Sequence, residues 1–247
     1  MSKTKPWFEE WFDSSYYHLL YGNRDQSEAN HFIKNLLEYL QPNSNDHFLD
    51  LACGKGRHAL EIALNGYKTT GIDLSANSIE EAKKINNALL SFHVGDMRHI
   101  HFEDNFEYIF NLFTSFGYFE TVDGQKETLR SINSQLKENG TFVLDYFNTN
   151  KVEKLIREKP NREITKDGVH FKTKKRISNQ FISKEINITD GDQTRTFYEH
   201  VWRLTFNNFS ELLSNAGFKI QTIFGDYELN KFNTEESERL IIIAQKL

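Results

Sequence analysis

The chain of 247 residues has one cysteine, Cys53, and only three prolines. A single thiol excludes an intrachain disulfide framework and a zinc site built on several cysteines. No segment approaches the roughly 20 apolar residues that a membrane-spanning helix requires. The opening stretch MSKTKPWFEEWFDSSYY lacks the continuous apolar core of a secretory signal. Excess positive charge is missing too. The formal net charge is −5, which creates no field favouring phosphate backbones or anionic lipid. We therefore expect a cytoplasmic protein with no membrane and no nucleic-acid partner. What the chain does have is 21 Phe and 10 Tyr, enough aromatic volume to fill a large core without many Leu or Val.

Patterning along the chain alternates strand and helix. Ala29, Phe32, Ile33, Leu36, Leu37 and Leu40 form one helical stripe, stopped by Pro42. HFLDLA, YKTTGID, SFHVGD, FEYIFNLF and TFVLDYF read as five strands. Between them RHALEIALNG, ANSIEEAKKINNALL and DGQKETLRSINSQLKENG read as helices, the second started by Ser75 as cap or by a Ser78/Glu81 capping box. Such alternation predicts right-handed crossovers and a mainly parallel, doubly wound α/β sheet. After residue 150 the period changes to two. VHFKTKKRI, QFISKEINIT and TRTFYEHVWRLT predict three antiparallel strands, turning at Ser178-Asn179 and Asp190-Gly191. FSELLSNAGF then returns to helix, and two last strands follow. The organisation expected is one domain over 1–247, with an N-terminal cap and helix at 1–41 and an antiparallel β insertion at 158–205.

The segment FLDLACGKGRHALEIALNGYKTTGIDLS, residues 48 to 75, carries the chemistry. In open α/β sheets ligands sit beyond the carboxyl ends of the strands, where strand order reverses. Gly54 and Gly56 let the backbone turn tightly and approach a ligand. The helix that follows offers unsatisfied N–H groups to a carboxylate or phosphate. Asp73 ends the second strand, where its carboxylate can accept from both hydroxyls of a ribose. Asp96 ends the third, where it can accept from an adenine amino group. GKGRHA also fits the dinucleotide pattern G-x-G-x-x-A, so an NAD-linked oxidoreductase competes. Asp50, four residues before Gly54, suits an ammonium group better than a pyrophosphate.

DLACGKG, the strand end GIDLS, the VGDM element and the C-terminal pair AGFKIQTIFGDYEL and ERLIIIAQKL together resemble the class I S-adenosylmethionine-dependent methyltransferases. The resemblance covers residues 30 to 150 and 207 to 247. It implies a Rossmann-like seven-stranded sheet whose last strand is antiparallel and inserted beside the fifth. It further implies S-adenosylmethionine as cofactor. Asp50 would lie near its ammonium group, Ala52, Gly54 and Gly56 along it, and Asp73 with Leu74 at the ribose. Asp96 and the Met97 backbone would meet the adenine. Ala52 stands where the family often has a glycine, a departure that is harmless unless the loop needs a positive φ there.

The acceptor is less legible. NLFTSFGYF after the fourth strand lacks the Pro-Pro pair of amino-directed nucleic-acid methyltransferases and offers Phe113 to the cofactor and Phe116 and Tyr118 to a substrate. Dense aromatics in WFEEWFDSSYYHLLYGNRD suggest a segment folded over the cofactor, with Tyr17 and Tyr21 in contact and His18 at the reaction centre. Strand alternation in TFYEHVWRLT sets Tyr198, His200, Trp202 and Leu204 on one face, with Tyr198 and Trp202 as candidate substrate contacts. His18 and His200 are the candidate bases, and no metal site is expected. The function anticipated is methyl transfer to a small-molecule acceptor. A cofactor-binding protein without turnover and a macromolecule methyltransferase remain alternatives.

Overall fold

The computed structural model describes residues 7–21 and 26–247. In chain order the elements are α1 (Trp7–Phe12), α2 (Ser15–Tyr21), α3 (Gln26–Leu40), β1 (His47–Leu51), α4 (Arg57–Leu64), β2 (Lys68–Asp73), α5 (Ala76–Ala82) and β3 (Leu90–Val94). A 3₁₀ turn at Met97–His99 leads to β4 (Phe106–Asn111), α6 (Val122–Gln135), β5 (Leu136–Phe147) and α7 (Thr149–Glu158). Then come β6 (Asn161–Lys166), β7 (Val169–Ile177), β8 (Phe181–Asp190), β9 (Gln193–Trp202), α8 (Phe206–Asn215), β10 (Phe218–Phe224) and β11 (Arg239–Lys246). The chain divides into two units, Asp25–Asn148 with Leu204–Leu247, and Met1–Arg24 with Thr149–Arg203. Gly22 to Asp25, the end of the aromatic N-terminal stretch, lies outside the described residues.

The larger unit holds a seven-stranded sheet in the order β10-β11-β5-β4-β1-β2-β3. β1 pairs in parallel with β2 and β4, as β2 does with β3 and β4 with β5, whereas β11 runs antiparallel to both β5 and β10. The anticipated sheet, last strand included, is the one observed. Its core forms because the α3 stripe of Phe32, Ile33, Leu36 and Leu37 meets Phe48, Phe110, Val143, Ile241 and Ile243 of the central strands. Strand order reverses between β1 and β4, so the loops leaving these two strands diverge side by side and open a crevice.

Two expectations needed correction in this unit. The helix expected through Gly140 stops at Gln135, because Leu136 is fully buried and pairs with Phe106. A Cβ on Gly140 would lie 2.8 Å from the Lys137 carbonyl oxygen, so residues 137–140 form a kink that only glycine closes. The helix starting at Ala76 ends at Ala82 instead of running to Leu90. Asn87 Oδ1 accepts from Leu89 N, turning the chain back toward the sheet. Of the two proposed starts of that helix, Ser75 is the cap, its side chain accepting from Ser78 N.

The smaller unit is a four-stranded antiparallel sheet in the order β6-β7-β8-β9, with α7 beside it in sequence. Three strands had been expected. β6 and α7 escaped notice because half of their residues are charged, with only Val152, Leu155 and Ile156 as apolar signal in the helix. On one face Trp11, Val169, Phe171, Ile186 and Ile188 make a core, closed by Trp7, Phe12, Tyr17 and Phe197. No helix among the described residues is long and apolar enough to cross a membrane.

Candidate functional site

The crevice of the larger unit starts at the loop 52–56. Ala52, Gly54 and Gly56 all have positive φ, at 62°, 56° and 81°. Gly56 has a second constraint, since a Cβ there would sit 2.6 Å from the Phe92 ring. Gly54 faces open space, so its role is conformational. Asp73 pins the apex of the loop. One carboxylate oxygen accepts from Gly54 N at 2.8 Å and the other from Ser75 N at 2.8 Å. The residue anticipated as a ribose ligand therefore also builds the loop, and these bonds take two of roughly four acceptor positions on a carboxylate.

Ala52 answers the condition attached to it, because the loop does need a positive φ there. A Cβ in the left-handed region costs roughly 1–2 kcal/mol. Ala52→Gly is expected to raise stability by about 0.5–1 kcal/mol once the extra freedom of glycine in the unfolded chain is subtracted. Urea unfolding checks this, and a fall in midpoint would show that the methyl group packs favourably.

Asp50, near the end of β1, is 1 % exposed, and its Oδ2 accepts from Ala59 N of α4 at 3.0 Å. Burial pushes its carboxyl up to about 7, with the Asp73 charge adding to the rise and the Ala59 bond opposing it. Beside it, Asn111 ends β4. Its amide donates to Leu51 O at 2.9 Å, and Oδ1 is buried with no protein partner. A buried acceptor left unpaired costs about 1–3 kcal/mol. Asn111 escaped the sequence reading because a lone Asn at a strand end has no distinctive pattern.

Asp96 caps the 3₁₀ turn by accepting from Arg98 N at 2.9 Å, and it pairs with the Arg98 guanidinium. Burial works to raise its pKa, but the Arg98 hydrogen bonds outweigh this and hold it below the usual carboxylate range. Met97 begins that turn half-buried, and Leu74 is exposed beside Asp73.

The loop after β4 has unusual backbone. Phe113 and Thr114 have φ of 62° and 61°, followed by Gly117 at 89°. For a bulky and a β-branched residue in succession this is a genuine outlier. The Phe113 ring is half-buried, with the guanidinium of Arg57 5.1 Å from its centroid and that of Arg239 at 5.5 Å. Phe116 is fully buried against Phe209 at 5.8 Å, so its ring serves as core, and Tyr118 is half-buried. Arg57, Asp145, Tyr227 and Arg239 were not anticipated here, because a helix start, two strands and a loop far apart in sequence bring them together.

In the smaller unit the aromatic residues engage one another. Tyr21 donates to Glu199 Oε1 at 2.7 Å, as does the Trp11 indole N–H at 2.7 Å, and the Lys184 ammonium donates to the Tyr21 hydroxyl. This half-buried polar cluster fastens α1 and α2 onto β8 and β9. Tyr17 packs on Tyr21 and Trp11, and His18 lies on α2 with its ring 5.5 Å from that of Tyr17. His200 Nδ1 lies 2.8 Å from Ser183 Oγ, and its ring is parallel to that of Tyr198. Trp202 packs on Phe181 at 4.8 Å. Leu204 lies beyond the end of β9 and belongs to the larger unit, which corrects its place on this face. Among the described residues no group of three or more His, Cys, Asp or Glu is arranged to hold a metal.

A family model described as "Methyltransferase domain" matches residues 42–199. The chain is 27% identical over 206 residues to "Putative methyltransferase YqeM" of Bacillus subtilis (strain 168), covering 80% of this chain and 83% of the relative. Over 98 residues, 39% of this chain and 40% of the relative, it is 31% identical to a dTDP-3-amino-3,4,6-trideoxy-alpha-D-glucopyranose N,N-dimethyltransferase of Streptomyces venezuelae. Its fold matches the crystal structure of an S-adenosylmethionine-dependent methyltransferase from Clostridium acetobutylicum ATCC 824 with a TM-score of 0.75 and 19% identity, covering 94% of this chain and 96% of that one.

Proposed function

The chain belongs to the methyltransferase domain family and is an S-adenosylmethionine-dependent methyltransferase, and from that premise we propose that it methylates a small molecule, an amine on a sugar-like acceptor in the first instance. The dinucleotide reading of GKGRHA gives way to the methyl donor. For the acceptor, support comes from the 98-residue likeness to an enzyme named for an amino sugar, together with the absence of a strongly basic composition.

The observation that carries the site is the crevice at β1 and β4, where Asp73 holds the Gly54 amide, Asp50 is buried and Asn111 Oδ1 has no protein donor. This is an acceptor-rich floor, and it fits a cofactor that presents an ammonium group and two ribose hydroxyls. S-adenosylmethionine supplies a methyl group already activated on a sulfonium. We assign Asp50 and Asn111 to the ammonium end, Ala52, Gly54 and Gly56 to the body of the cofactor, and Asp73 with Leu74 to the ribose. Asp96 and Met97 take the adenine end, and Phe113 lines the crevice. Tyr17 and Tyr21 remain proposed cofactor contacts, and Phe116, Tyr118, Tyr198 and Trp202 proposed acceptor contacts. For Phe116 that role requires its ring to leave the core.

What the protein adds to an activated methyl group is mainly alignment in a dry site, which can supply roughly 7–11 kcal/mol. An amine acceptor arrives mostly as ammonium at neutral pH and must lose a proton before its lone pair can attack. His18 and His200 are the proposed bases for that transfer. The test is formation of S-adenosylhomocysteine with a panel of amino sugars, their hydroxyl analogues, bulk RNA and a protein extract. Turnover confined to amino sugars is the expected result, and turnover confined to RNA or protein would overturn the acceptor class.

A further inference from the structure

Asp145 and Arg239 form a buried pair at the carboxyl end of the sheet. Asp145 is 0 % exposed, and its Oδ1 accepts from Arg239 Nε at 2.7 Å. Its Oδ2 accepts from Phe113 N at 2.8 Å and from the Tyr227 hydroxyl at 3.2 Å. The backbone carbonyl of Asp145 accepts from Thr114 N at 2.9 Å. Arg239 completes the ring of bonds by donating from Nη2 to Thr114 Oγ1 at 2.9 Å, and Phe147 N donates to the same hydroxyl at 3.2 Å. Both amides of the left-handed pair Phe113–Thr114, and the Thr114 side chain, are thus held by one ion pair and its strand.

A buried ion pair adds little net stability over a well-packed apolar replacement, because desolvation of both charges offsets their attraction. Its value is geometric. Two non-glycine residues stay in the left-handed region only when their surroundings over-determine them, and such strain collects at functional sites. Here the bonds dictate where the Phe113 ring points. That ring meets Arg57, the first residue of α4, which directly follows the Gly54–Gly56 loop. We infer that Asp145 and Arg239 are positioning residues: they lock Phe113 and Thr114 in their left-handed conformation and so shape the wall of the cofactor crevice against the glycine loop. The inference rests on the placement of the cofactor at that crevice.

Thr114→Gly separates positioning from mere stability. It removes the hydroxyl that Arg239 holds but leaves Asp145 and Arg239 paired, and it relieves the left-handed strain. The melting temperature is expected to change little, strain relief offsetting the acceptor lost to Arg239 Nη2 and Phe147 N, while S-adenosylmethionine affinity, measured by calorimetry, falls about tenfold, one charge-assisted hydrogen bond's worth of geometry. Hydrogen exchange at the Phe113 and Thr114 amides should accelerate in the same variant. Thr114→Ser keeps the hydroxyl and should restore both affinity and protection. Arg239→Lys, which keeps the charge and loses the planar fork, should lose affinity as Thr114→Gly does. Accelerated exchange with unchanged affinity in Thr114→Gly would overturn the positioning role, as would affinity falling only in step with melting temperature. The underlying placement fails separately, when Asp73→Ala binds S-adenosylmethionine as tightly as the parent chain.

Discussion

Asp73→Ala is expected to weaken S-adenosylmethionine binding by at least about a hundredfold, roughly 2.7 kcal/mol. The structure supplies two reasons where the sequence offered one. The carboxylate proposed for the ribose hydroxyls also accepts from Gly54 N and Ser75 N. Charge-assisted hydrogen bonds are worth about 1.5–3 kcal/mol each, so losing the sugar contacts alone accounts for the change. Loosening of the 52–56 loop adds to it. Asp73→Asn keeps one acceptor oxygen and should fall between, near tenfold. The measurement is calorimetric titration with S-adenosylmethionine, S-adenosylhomocysteine and, as control, NAD. Stability should fall by only about 1–2 kcal/mol, the usual cost of losing a capping carboxylate, so the folded variant can be titrated. Full affinity in Asp73→Ala would remove the cofactor from this crevice.

How far the site could be read from sequence depends on what kind of interaction builds it. The glycine loop, Asp50 and Asp73 lie within 24 residues, on elements whose hydrophobic period declares them, so their convergence follows from βαβ geometry. The mainly parallel sheet was legible for the same reason, while its count of seven strands and the antiparallel last strand beside β5 followed from the resemblance to the methyltransferase family. Asp145, Arg239 and Tyr227 were not, because β11 reaches β5 only through a pairing between residues about a hundred positions apart. Nothing local to Arg239 distinguishes it from a solvated strand-end arginine. The Phe113–Thr114 conformation is invisible for a related reason. Their side chains predict negative φ, and a tertiary ion pair outweighs that preference. α7 and β6 were missed where charge swamped the apolar period, and α6 was overextended because local propensity cannot foresee Leu136 pairing with Phe106.

Asp50 gives the second large effect, and its sign can be worked out. Its carboxyl titrates near 7 in the folded chain, against about 3.9 in an unfolded one. The folded state therefore holds a proton between pH 4 and 7 that the unfolded state has released. Stability from this group is full below about pH 4, declines as pH rises through that window, and is lost above 7. Three units correspond to about 4 kcal/mol as an upper bound. Asp50→Asn keeps an oxygen for Ala59 N and has nothing to ionise. Its melting temperature should match the parent at about pH 4 and below, and exceed it by roughly 5–10 °C at pH 8. The same burial that makes the carboxylate costly makes it a strong partner for an ammonium group, so the stabilised variant should bind S-adenosylmethionine at least tenfold more weakly. Proton linkage provides the independent check. Below pH 7 the ammonium arrives already charged and drives Asp50 to ionise, so binding should release about one proton at pH 6. Above pH 8 an α-amino group is itself largely neutral, so binding should take a proton up. Calorimetry in buffers of different ionisation enthalpy reads both, and a parent chain that releases no proton at pH 6 would reduce Asp50 to a brace for the first turn of α4.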